Sequence, residues 1–268
     1  MNNMDTCKKC KKRKFDFQRG TVCGLTNEKP TFENTCPDFD SDETIAEYRG
    51  QEVKPNSERA RILLLIIWII LALEIISIFS SVLQYNLLQT ISNGGEISSE
   101  TANANDLREQ IIAIVYLIAN IISIVAFIMW FRRAYYNLHQ KVRTLAFTEG
   151  WAAGCWFVPF VNLYRPYQIM KEMYEETKQY LIGESVECEL STKFLGVWWT
   201  MWIINGILGQ IVFRLSLHSS ALPELITITT LSIISSVAGI GLALVTIKVI
   251  RDYANVEGAL REKEYLFK

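Results

Sequence analysis

Histidine is scarce in this chain: two occur in 268 residues, His139 and His218. No Gly-rich phosphate loop, serine-nucleophile elbow or HExxH appears either. The charge pattern described below puts the two imidazoles on opposite sides of a bilayer, so the sequence argues against an enzyme. A strong net charge is also lacking. The balance is -1, so no global field points to nucleic acid, and no nucleic-acid partner is expected. The first residues, MNNMDTCKKCKKRK, lack an apolar h-region, and no secretory signal is expected there.

What the chain has in excess is apolar length. Hydrophobic residues make up 50% of it, high for a soluble domain. Four runs are long enough for membrane helices, which need about 20 apolar residues. They are Ile62–Leu83, Ile111–Phe131, Phe194–Phe213 and Leu225–Ile247. The last three hold no charged residue, and the first holds only Glu74. Lys and Arg number 12 in residues 1–61, 8 in 132–193 and 5 in 248–268. The connection between the first two runs has only Arg108, Arg214 ends the third, and residues 215–222 have none. The positive-inside rule then puts both termini in the cytoplasm.

Four of the six cysteines fall near the start: Cys7, Cys10, Cys23 and Cys36. The Cys7–Cys10 spacing is that of a zinc knuckle, and the other two thiolates would complete a four-sulfur site. A cytoplasmic location disfavours structural disulfides. The few large apolar residues here (Phe15, Phe17, Val22, Leu25, Phe32, Phe39) cannot form a free-standing core, and such units usually need a metal or crosslink. Structural zinc is the expectation; a redox thiol pair or unligated cysteines are the alternatives. A closed site of this kind leaves no open position for catalysis. Lys8, Lys9, Lys11, Lys12, Arg13 and Lys14 surround the knuckle. Their bland use is topology and solvation; the sharper one is contact with anionic lipid or nucleic acid. The acidic stretch PDFDSDETIAEYRGQE follows, within a polar linker. Ser57 and Glu58 are placed to cap the first span.

Within the spans, Glu74 must be neutral, paired or in a wet cavity, with Arg214 a candidate partner. It reads either as a proton or cation site or as a structural group. Asn120, Asn205 and Gln210 suit interhelical hydrogen bonds, and Ser235, Gly239 and Ala243 form a small-residue face for close helix approach. Arg133, Tyr135 and Asn137 match Arg251, Tyr253 and Asn255 as R-x-Y-x-N, either a weak parallel repeat or ordinary interface anchors.

The segment GWAAGCWFVPFVNLYRPYQ, residues 150–168, is too apolar for a surface loop and too short for a span. A crossing here would also invert the last two spans and turn the basic tail outward. Pro159 disfavours a straight helix, Asn162 suits a cap, and Pro166 suits a first helical turn. Next comes an amphipathic helix. Tyr167, Met170, Met173, Tyr174, Tyr180 and Leu181 form one face, and Lys171, Glu172, Glu175, Lys178 and Gln179 the other. The segment reads as an interfacial or shallow re-entrant helix–break–helix, either a pocket floor or an aromatic anchor. Cys155 lies among apolar residues without a base and reads as a structural thiol.

Trp130, Arg133, Asn137, Gly150, Trp151, Gly154, Trp156, Pro159, Asn162, Leu163 and Pro166, with Trp198, Trp199 and Trp202, resemble the pattern of a bacterial membrane family. It is known as domain of unknown function 4328. The resemblance covers residues 61 to about 256 and implies a multi-span bacterial membrane protein with no assigned activity. The cysteine head lies outside it and looks like a zinc-ribbon-type extension, though its spacing departs from the two-knuckle pattern.

The expected fold is an all-α integral membrane protein. It would comprise a four-transmembrane-helix bundle, a cytoplasmic interfacial or re-entrant helix, and a small N-terminal zinc-ribbon-like head. The divisions are a head at 1–40, a linker at 41–60 and a membrane domain at 61–268. The expected location is the bacterial cytoplasmic (inner) membrane. The leading function is a membrane-anchored binding or regulatory module, with the bilayer, a cytoplasmic protein or a second copy as partner. The alternative is a small transporter or channel using Glu74 and 150–166. The residues singled out are Cys7, Cys10, Cys23 and Cys36 for metal, Trp130, Arg133, Asn137, Trp156, Pro159, Asn162, Arg165 and Pro166 as the motif, and Glu74 as the intramembrane acid.

Overall fold

The computed structural model describes residues 6–7, 9–16, 20–32, 35–42, 53–217 and 221–265. Lys8, Phe17, residues 43–52 of the linker and His218 lie outside the described residues. In chain order the elements are β1 (Arg13–Asp16), β2 (Gly20–Cys23), α1 (Ser57–Ser92), α2 (Ser99–His139) and α3 (Glu149–Gly154). A 3-10 turn (Val161–Leu163), α4 (Arg165–Gly183), α5 (Lys193–Ser216) and α6 (Leu222–Tyr265) follow.

Four helices are long and apolar enough to cross a membrane: α1, α2, α5 and α6. Each contains one expected span, and each extends beyond it. The 41 residues of α2 rise about 60 Å, twice a hydrocarbon core of roughly 30 Å. Hydropathy found the apolar centres and missed the polar turns, SETANANDLREQ among them, that continue the same helix. Glu58 lies in the first turn of α1, where it complements the dipole. Ser57 is already helical and so is not the residue before the helix.

The chain divides into two compact units. One, here the polar unit, gathers Met1–Asn56, Phe131–Ser191 and Val256–Lys268. The other, the span unit, gathers Ser57–Trp130 and Thr192–Asn255. The long helices α2 and α6 contribute residues to both units.

In the polar unit, β1 and β2 pair antiparallel with Arg13 opposite Cys23 and Asp16 opposite Gly20. Gly20 takes φ +79°, a left-handed value that glycine adopts without a Cβ penalty. A side chain on Gly24 would strike the Lys12 carbonyl, so the close strand crossing needs glycine there. Residues 40–42 close the head: Lys11 N–H donates to Asp40 O (2.8 Å), Asp42 N–H to Lys9 O (3.0 Å), and Arg13 Nη1 to Asp42 Oδ2 (2.8 Å).

In the span unit the core is aromatic. Trp130 and Trp198 are buried. Phe127 stacks on Trp198 (6.0 Å), Trp130 meets Tyr253 edge-on (6.1 Å), and Trp199 stacks on Trp202 (4.8 Å). Trp198 Nε1 donates to Thr246 Oγ1 at 3.1 Å, giving the indole its partner inside an apolar core. Large apolar side chains such as Phe79, Leu117, Ile124, Phe213 and Val237 face outward. That pattern suits a lipid solvent, where outward burial is not needed.

Candidate functional site

Among the described residues the polar unit buries three carboxylates, Glu172, Glu176 and Glu257, and Glu257 and Glu172 each sit in a hydrogen-bond network. Glu257 is 6% exposed and accepts from Asn56 Nδ2 (2.9 and 3.1 Å) and Asn137 Nδ2 (2.7 Å). Arg133 lies within electrostatic reach. Asn137 also pairs with the Lys54 backbone, accepting from its N–H (3.0 Å) and donating to its carbonyl (2.9 Å). One amide thus joins residues 54, 137 and 257, and satisfies polar groups that would be costly to bury alone.

Glu172 is the second. The sequence placed it on the solvated face of α4, but it is 1% exposed. Ala146 N–H donates to Oε1, and Tyr135 Oη lies 2.7 Å from Oε2 and 3.1 Å from Phe147 O. Tyr135 owns one hydroxyl proton. It donates to Glu172 at the shorter distance, with the Phe147 carbonyl as the longer second acceptor. Burial raises the Glu172 carboxyl to about 7; the Tyr135 and Ala146 bonds oppose this, and Glu176 and Glu175 add to it. The buried face of α4 also carries Glu176 and Thr177, among the apolar Ile169, Met170, Met173, Tyr174 and Leu181.

The 150–168 segment is a helix, a break and a helix. After α3 the chain turns to Phe160, whose φ is +64° and ψ -39°. Val161 N–H donates to Pro159 O at 2.8 Å, closing a three-residue turn of the rare strained kind. Phe160 is 80% and Phe157 74% exposed. Val158, Leu163, Tyr164 and Trp151 are exposed beside them. The segment is held by Trp156 edge-on to Phe131 (6.4 Å) and by the Arg132–Glu149 ion pair (3.1 Å). Pro166 occupies the first turn of α4, as expected. Asn162 does not cap that helix: it lies in the 3-10 turn, and the cap position is Tyr164. Cys155 is buried, which pushes its thiol up to about 12. A thiol that stays protonated is a poor nucleophile.

Cys7, Cys10, Cys23 and Cys36 border one cavity of about 10 Å³. Burial raises the Cys7 thiol, and Cys36, Cys23 and Cys10 raise it further by proximity. Backbone N–H groups of Thr26 and Leu25 bond the Cys23 sulfur and lower it. All six cysteines are free thiols. The four thiols line one cavity but do not form a metal-holding group; among the described residues no group of three or more His, Cys, Asp or Glu does.

In the span unit, Glu74 is 3% exposed. Tyr116 Oη donates to its Oε1, and Ser236 is its other hydrogen-bond partner. These groups stand where the sequence proposed Arg214. A Cβ on Gly239 would collide with the same carboxylate, so the small-residue face of α6 receives Glu74. Asn120 bonds the Tyr116 carbonyl of its own helix (3.0 Å) rather than a neighbouring one. Toward the other end, Arg108 binds Ser80 Oγ (2.8 Å) and Asn105 Oδ1 (2.6 Å), and Ser80 donates to Glu109.

The two R-x-Y-x-N copies do different work. Tyr135 and Asn137 serve the buried carboxylates, whereas Tyr253 packs on Trp130. The sequence missed Glu172, Glu257, Asn56 and Tyr116, all of which act through distant partners.

The family model described as Domain of unknown function (DUF4328) matches residues 93–255. The match starts later than the expected residue 61 and leaves α1 and the head outside. No curated protein and no solved structure matches the chain.

Proposed function

This chain belongs to the DUF4328 family, and from that premise we propose that it is a membrane-anchored binding or regulatory module. Four helices anchor it in the bacterial cytoplasmic membrane with both termini inside. The polar unit is its working body on the cytoplasmic side. The observation that supports this reading is the pair of buried carboxylate networks, which tie residues 54, 56 and 257, and separately residues 135, 146 and 172, into one folded body. The exposed tip at Phe157 and Phe160 dips into the interface, where aromatic side chains are favourable.

Cys7, Cys10, Cys23 and Cys36 hold one structural zinc in this reading. The Leu25 and Thr26 amides favour the Cys23 thiolate, as outer-shell donors do at such sites. Native mass spectrometry of the full chain in mild detergent tests it. One zinc per chain, lost in Cys7→Ser, is expected; a protein without metal would remove the zinc from the proposal. Orientation is read with an impermeant thiol reagent on cells. Ser219→Cys should label and Ser185→Cys should not, and the reverse would invert the protein.

A small transporter or channel is the second reading, favoured by one observation: Glu74 is buried within the span unit with two hydroxyl partners. Proton flux in proteoliposomes that Glu74→Gln abolishes would move the assignment to transport. Absence of flux in the wild type keeps it with binding.

A further inference from the structure

A cleft of about 450 Å³ lies within the polar unit, between the head hairpin, residues 144–147 and the start of α4. Its charged and amide lining is Lys11, Arg13, Lys14, Asp42, Arg165 and Gln168. Four cations face one carboxylate. That carboxylate is engaged, since Asp42 binds Arg13 at 2.8 Å. Lys11 has only a long pair to Asp40 at 3.8 Å, and Lys14 donates to the neutral Asn27 amide at 3.1 Å. The lining therefore carries an excess of positive charge that its own acid does not cancel.

Arg165 is the most specific part. Its guanidinium lies 4.4 Å from the Phe147 ring, 5.4 Å from Tyr164 and 5.7 Å from Trp151. Aromatic faces hold the plane of the group while leaving its N–H edge for an acceptor. Its Nε and the Oε1 of Gln168 are buried without hydrogen-bond partners. An orphaned guanidinium donor is costly to bury, and an anion would satisfy it. The cleft also lies at the N-terminal turn of α4, a 19-residue helix, whose dipole favours negative charge.

We propose that this cleft binds a phosphate group, with Arg165 as its planar donor and Lys11 and Lys14 as neutralising charges. Phosphate fits better than a carboxylate: it offers more acceptor oxygens and more charge to a site with several cations. The exposed apolar tip adjoins Arg165 through Tyr164, so an acyl-bearing phosphate would place its chains along Phe160 and Leu163. The inference rests on the reading above in placing the cleft at a membrane surface. The phosphate chemistry itself comes from the lining.

The test uses the full chain in neutral-detergent micelles, titrated with inorganic phosphate and, separately, with short-chain phosphatidylglycerol, by calorimetry. Saturable binding of at least one probe is expected. Arg165→Gln should weaken it about tenfold or more, Lys14→Gln by a smaller factor, and Arg61→Gln, an exposed cation on α1, not at all. Tighter binding of the lipid than of free phosphate identifies a headgroup site; equal binding identifies a soluble phosphate site. Failure of both probes to saturate the wild type overturns the proposal, as does equal loss in Arg165→Gln and Arg61→Gln. Circular dichroism confirms that Arg165→Gln folds, and Lys14→Gln on the exposed hairpin gives an independent readout if it does not. Zinc analysis of the same sample separates the two claims: phosphate binding without zinc removes the metal head and leaves the cleft standing.

Discussion

The polar unit and the span unit treat their side chains in opposite ways. In the span unit, large apolar residues turn outward along α1, α2, α5 and α6, and the buried polar residues among those described are Glu74, Ser80, Ser81, Asn105 and Thr229. In the polar unit, carboxylates and amides are buried and bonded. Its exposed large apolar residues, among those described, are Leu25, Phe39 and Ile182 together with a single cluster at 151–164. The difference follows from solvent. Lipid gives outward apolar groups no penalty but offers a polar group no partner. Water permits exposed charge, so a buried carboxylate persists only where donors converge on it. The 151–164 cluster is the part of the polar unit that, like the span unit, exposes several large apolar side chains together.

The sharpest break in this contrast is Asn137→Leu. It leaves the Lys54 backbone pair unmet and strips Glu257 of one of its donors. A loss of about 4 kcal/mol is expected, read by denaturant titration in detergent. A change below about 1 kcal/mol would show that the network adds little.

Next is pH. The folded Glu172 carboxyl titrates near 7 against an ordinary value of 4.5. Between those values the folded state holds the extra proton. Stability from this group is therefore complete below pH 4.5, falls as pH rises, and is gone above 7. The span of the effect is about 3 kcal/mol. Glu172→Gln keeps the Ala146 bond and supplies a donor to Tyr135, so it should flatten this part of the profile and exceed the wild type at pH 8. An unchanged profile would mean that Glu172 is ionised.

The span unit should respond to crowding rather than to polarity. Gly239→Ala places a methyl on the Glu74 carboxylate and should cost about 1–3 kcal/mol. Combining it with Glu74→Ala should recover part of the loss, since the two sites touch. Simple addition of the two losses would separate Gly239 from Glu74.

The smallest effect is Phe160→Gly. It relieves the left-handed φ and should stabilise the detergent-solubilised protein by about 1 kcal/mol, while weakening lipid contact.

The four spans were legible because twenty apolar residues without charge leave few alternatives. Their extensions were not, since SETANANDLREQ carries no hydropathy signal and becomes helical by continuing a formed helix. The helix–break–helix at 150–168 was legible from Pro159 and Pro166. Glu172 was misread because spacing on α4 puts it beside Lys171 and Glu175, and its partners Tyr135 and Ala146 come from another part of the chain. Glu257 and Asn56 stand 201 residues apart, a separation at which no local pattern speaks. The C-x2-C spacing of Cys7 and Cys10 suggested a four-sulfur site, and among the described residues the four cysteines line one cavity without forming a metal-holding group. Arg165 was noted for its motif, but its aromatic cage and its place beside Lys11 and Lys14 emerge only when head and α4 meet.

The most direct test of the contrast puts a benzoylphenylalanine crosslinker at single positions in native membranes. At position 160 the account predicts phospholipid adducts by mass spectrometry; at position 25, on the exposed face of the head, it predicts none. Lipid adducts at both positions, or protein adducts alone at position 160, would contradict the claim that the polar unit meets the bilayer through its apolar tip.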